Sequence, residues 1–106
     1  MRIFTCNSCT KIHIETGNIL LHFASTEKLT QYLHELDNID AEYYAVLNSG
    51  KAFSKDIFLQ VPNTNLNLGF TIEEFTVFRE SIREYLHAKP QQSIFINTGH
   101  QDICMN

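Results

Sequence analysis

Two kinds of hydrophobic spacing alternate along the chain, and where one gives way to the other the elements can be read. Between Asn65 and Ala88 a two-residue period turns directly into a helical one. Leu66, Leu68 and Phe70 alternate with Asn67 and Gly69, the pattern of a strand with one buried face. Thr71 then stands at an N-cap position with Glu74 three residues on, a Thr-x-x-Glu capping box. Phe75, Phe78, Ile82, Tyr85 and Leu86 follow at helical spacing and predict one apolar stripe.

A similar succession occurs earlier. Lys11 to Glu15 alternates Ile12 and Ile14 against Lys11, His13 and Glu15, Thr16-Gly17-Asn18 reads as a turn, and Ile19 to Phe23 returns, which predicts a β-hairpin. Ser25 is placed to cap a helix whose stripe is Leu29, Tyr32, Leu33 and Leu36, closed by Asn38 and Asp40. The segments 11–39 and 57–88 therefore read as two β-β-α repeats, with Ile57 to Val61 standing where Lys11 to Glu15 stands and Pro62-Asn63-Thr64 in place of the first turn. Arg2 to Thr5 adds a short strand, Tyr43 to Leu47 another, and Ser93 to Asn97 after Pro90 a last one. Ala52 and Phe53 are expected to begin the strand that runs through Ile57, and residues 98–106 read as a polar tail.

The expected architecture is α+β: an antiparallel sheet of about five strands with two helices on one face, because neither repeat alone can bury its sheet face and its helix stripe. The opposite face, carrying Leu20, Phe58 and one of Tyr43 and Tyr44, is then partly apolar and open to a second copy or a protein partner.

Composition adds limits. With 106 residues, 43% apolar and 19% charged, the chain suffices for a single domain, 1–106, with one modest core. The net charge of −4 and the scatter of Lys11, Lys28, Lys51, Lys55 and Arg79 argue against a nucleic-acid partner, since phosphate binding needs clustered cations. The apolar run from Ile19 to Ala24 is broken by His22 and too short to span a bilayer, and the first ten residues lack a signal-peptide core. Neither a membrane nor export is indicated, so a cytoplasmic location is expected, where Cys6, Cys9 and Cys104 are thiols or metal ligands rather than disulfides.

Chemistry is scarce. Glu73 and Glu74 belong to a first helical turn, Glu80 and Arg83 form an i, i+3 pair, and Ser25 and Thr71 are caps. No glycine-rich phosphate loop, nucleophile elbow, kinase motif or metalloprotease motif is present. The exception is Cys6-x-x-Cys9, whose spacing lets two thiolates share one tetrahedral zinc. His100 and Cys104 at the far end would complete a Cys3His set, with His13 the alternative ligand near the cysteines. His13 and His22, on facing strands of the predicted hairpin, either chelate a metal or form a small polar site, or are simply solvated. A dithiol redox role needs the first cysteine at a helix N-terminus, whereas here a strand pattern follows.

The Cys-x-x-Cys turn, the Gly17-Asn18 hairpin and the strand-into-helix repeat together resemble a family of short uncharacterised bacterial proteins that begin with such a turn and repeat a strand-helix unit. That resemblance covers most of residues 6–88 and implies no activity. Cys6 through His13 also resembles the first knuckle of a zinc ribbon. The reading is thus a small binding or interaction module without catalytic machinery, with zinc as its one expected cofactor. The alternative is a thiol redox protein or small enzyme centred on Cys6 and Cys9.

Overall fold

A computed structural model describes residues 1–5 and 10–99, with side chains as far as residue 88. The elements in order are β1 (Arg2–Thr5), β2 (Ile12–Thr16), β3 (Ile19–Phe23), α1 (Thr26–Asp37), α2 (Ala41–Asn48), β4 (Ile57–Gln60), β5 (Asn67–Phe70) and α3 (Ile72–Gly99).

The helices start where the capping chemistry places them. Ser25 Oγ accepts from the Lys28 amide at 3.2 Å. At α3 the box is reciprocal: Thr71 Oγ1 accepts from the Glu74 amide at 3.1 Å and Glu74 Oε1 accepts from the Thr71 amide at 2.8 Å. The same carboxylate takes a 2.8 Å bond from Lys55 Nζ, tying the helix start to the approach to β4.

Strands β3, β4 and β5 alternate between more and less buried residues, whereas β2 buries Ile12, His13 and Ile14 in succession and β1 buries Phe4. Ile3, Ile14 and Leu21 lie side by side on the inner face of the first sheet, as do Thr5, Ile12 and Phe23. Ile57 pairs with Phe70 and Leu59 with Leu68 on the inner face of the second. Ile12, Ile14, Ile57, Leu59 and Phe70 share one buried cluster with Phe4 of β1, Leu29, Leu33 and Leu36 of α1 and Phe75, Phe78, Ile82 and Tyr85 of α3, and Ile3, Leu21, Phe23 and Leu68 pack against it. Asp37 of α1 accepts from Arg83 of α3 at 2.5 Å, clasping the two helices at the rim.

Four expectations need correction. The five strands form two antiparallel sheets, β1-β2-β3 and β4-β5, rather than one. Beneath the seam runs a chain of rings, Phe23 to Tyr32 to Phe78 to Phe70, with centroids 5.1, 6.3 and 4.9 Å apart. Tyr43 to Leu47 is helical, making α2 a third helix, because Asp40 opens a new helix instead of only closing α1: its Oδ1 accepts from the Tyr43 amide at 3.1 Å. Ser93 to Asn97 continues α3, since extending a helix already formed costs less than an isolated strand. Ala52 and Phe53 precede β4, and Leu66 precedes β5, outside the ladder.

Candidate metal centre

The β2–β3 hairpin fixes a pair of histidines by register alone. Its two-residue turn is Gly17-Asn18, and Gly17 takes φ +59°, as the first central position of a type II′ turn requires. Thr16 then faces Ile19, and counting back puts His13 directly opposite His22. On β1, Phe4 pairs with His13 and Arg2 with Glu15, so the outer face carries two rows: Phe4, His13, His22 and Arg2, Glu15, Leu20.

The imidazoles meet through matching atoms. His13 Nδ1 and His22 Nδ1 are 2.7 Å apart, one donating its proton to the lone pair of the other. The rings stand at 89° with centroids 4.8 Å apart. The Phe4 ring lies 5.2 Å from His13, and the Arg2 guanidinium caps Phe4 at 4.8 Å while pairing with Glu15 at 2.9 Å. His13 is only 8% exposed although it sits on the outer face, whereas His22 is exposed. Burial first, then the neighbouring His22 and Lys11, holds the His13 pKa below the ordinary 6.5. Neutral imidazole is the form that binds metal. Two converging imidazole nitrogens on paired strands can hold a divalent cation, or pass a proton between rings.

Cys6, Cys9, His100 and Cys104 lie outside the described residues. Among the described residues no group of three or more His, Cys, Asp or Glu is placed to hold a metal, so the pair would need further ligands from elsewhere. His34 and His87 are exposed on α1 and α3, away from the hairpin turn. The acidic residues serve structure: Asp37 and Glu80 accept from Arg83, and Glu74 from Lys55, bonds that hold all three carboxyls below their usual range.

The apolar face expected of one sheet is divided. Leu20 (48% exposed) lies outside the first sheet and Phe58 (38%) outside the second, where its ring packs over Gly69 and against Phe53. Tyr43 and Tyr44 contact each other on α2 instead. Two crevices of ≈ 680 and ≈ 630 Å³ open along the seam, Leu68 lining both. The seam had no sequence signal. His22 did have one, its distance from the Gly17-Asn18 turn.

A family model described as "Family of unknown function (DUF6686)" matches residues 2–106. No curated protein and no solved structure matches the chain.

Proposed function

The chain belongs to this family of unknown function, and we propose that it is a small cytoplasmic binding module without catalytic machinery that holds a structural zinc through Cys6 and Cys9. One observation carries the reading: Thr5 pairs with Ile12, so the connection bearing both cysteines joins two neighbouring antiparallel strands. A Cys-x-x-Cys leading straight into such a strand is the arrangement in which two thiolates can share a tetrahedral ion. Residue His13 comes immediately afterwards in β2, with its lone-pair partner across the hairpin.

The redox alternative loses support from the same element. A reactive cysteine of this spacing is activated by the macrodipole of a helix that begins at it, whereas Cys9 leads into the strand β2. For binding, the exposed apolar side chains Leu20 and Phe58 on the two outer sheet faces offer a surface for a second copy or another protein.

Metal analysis of protein purified without added zinc tests the proposal. About one zinc per chain is expected, and a ratio near zero removes the site. Light scattering at high concentration tests self-association, and a monomer there restricts the surface to other partners.

A further inference from the structure

We propose that the outer face of α2 is a dimer interface, against which a second copy of this chain lays its own α2, antiparallel, across a twofold axis near Val46. The inference stands apart from the zinc reading of Cys6 and Cys9 and uses a different surface from Leu20.

Its first support is that α2 is built inside out. Six of its eight residues are apolar, yet none of the eight is buried. The small side chains face the protein. Ala41 packs against the core, Ala45 is half-buried, and Asn48 Nδ2 donates to the Asp56 carbonyl at 2.6 Å. The bulky side chains Tyr43, Tyr44, Val46 and Leu47 are instead between 41% and 74% exposed. Tyr43, Val46 and Leu47 stand at i, i+3 and i+4, the spacing of an apolar stripe made to be covered. Helix α1 does the opposite and turns Leu29, Leu33 and Leu36 inward. Nothing in the single chain is stabilised by the outward stripe of α2.

The area is what a pair of copies needs. Phe53, 60% exposed, lies in the loop that the Asn48–Asp56 bond closes, and so borders the end of the helix. Taking ~200 Å² for a whole aromatic side chain and about three-quarters of that for Val or Leu, Phe53 and the four helix residues expose about 500 Å². Two such faces together remove about 1,000 Å² from water, the size at which contacts between proteins become specific. A rim of polar residues adds to it.

Charge selects a second copy as the occupant. From Tyr43 to Gly50 no residue is charged, while Glu42 precedes this stretch and Lys51 follows it. Among the described residues neither of these two exposed side chains is in an ion pair. Two copies crossing antiparallel at Val46 bring Glu42, at the start of each α2, toward Lys51 just past the end of the other. The twofold axis makes that pair twice. An uncharged apolar centre between opposite charges is therefore complementary to itself.

Sedimentation equilibrium of the full chain, with reductant present to keep the cysteines as thiols, tests this. Between about 1 μM and about 1 mM the wild-type mass should rise from one chain toward two. Val46→Glu and Val46→Lys each set like charges against each other at the axis and should weaken association at least ~10-fold. Because Val46 is the most exposed residue of the helix, both variants should keep the wild-type circular dichroism and urea midpoint. An equal mixture of the two should dimerise again, since opposite charges then meet, and Leu20→Ser should associate as the wild type does. A wild-type chain that stays monomeric to about 1 mM overturns the proposal. So does a dimer that persists in Val46→Glu, and one that Leu20→Ser abolishes moves self-association to the first sheet. Zinc content measured on the same samples reports on the cysteine reading separately.

Discussion

Replacing Ile82 by alanine probes whether α1 and α3 close over one interior. Ile82 has no exposed surface and shares its cluster with Leu29 and Leu36 of α1, Ile12 and Ile14 of β2, and Ile57 of β4. The substitution deletes three carbons, about 2.4 kcal/mol at ~0.8 kcal/mol per buried carbon. The space left behind adds to this, and the better helix propensity of alanine returns a few tenths. The net loss is then about 3 kcal/mol, from a total stability on the order of 5–15 kcal/mol. At an unfolding entropy of ~2.1 cal/mol/K per residue, that loss lowers the midpoint temperature by about 13 °C. Urea unfolding followed by far-ultraviolet circular dichroism measures it, with the slope against denaturant unchanged. Val77, on the same helix but 59% exposed, is the control, and Val77→Ala should stay within about 0.5 kcal/mol of wild type. A loss below ~1 kcal/mol for Ile82→Ala, or losses equal at the two positions, refutes the shared interior.

Other consequences are as direct. Thr71→Ala removes the oxygen that accepts from the Glu74 amide and should cost about 1 kcal/mol in the same assay, an unchanged midpoint arguing against the cap. Gly17→Ala places a side chain at φ +59° and should destabilise the hairpin by about 1 kcal/mol in the same urea assay, an unchanged midpoint arguing against the turn. The pH dependence of Asp37 has a definite sign. The hydrogen bond from Arg83, then the charges around it, holds its carboxyl below the ordinary 3.8, so the folded state binds the proton less readily than the unfolded chain. Its stabilising contribution is complete above 3.8 and disappears as pH falls through the lower folded value. The stability gap between wild type and Asp37→Asn, measured in urea at a series of pH values, should therefore close in acid, and a gap that widens there contradicts the Asp37–Arg83 clasp.

How much of this could be read in the chain depends on how local the cause is. Both hairpins, the stripe of α1 and the stripe of α3 were legible, because alternation, helical spacing and a capping box act within a few residues. Asp40 misled in an instructive way: the same side chain can end one helix or begin another, and only its bond to the Tyr43 amide decides. The division into two sheets, and the contacts among Phe23, Tyr32, Phe70 and Phe78 that lie along it, join residues far apart in the chain, and no local pattern encodes them. The histidine pair lies between these cases. Once Gly17-Asn18 is taken as a two-residue turn, His13 and His22 must oppose each other, because 13 + 22 equals 16 + 19, the sum that defines the register. Their meeting through one Nδ1 contact, and the depth of His13, are not given by the register alone.

Long-range proton–nitrogen correlation spectra of the histidine rings, recorded on the full chain, test the hairpin register and its His13–His22 contact most directly. A hydrogen-bonded ring proton should correlate with the Nδ1 atoms of both His13 and His22, while His34 and His87 show none in common. Ring signals of His13 and His22 with no proton in common, in a chain that is folded, would contradict it.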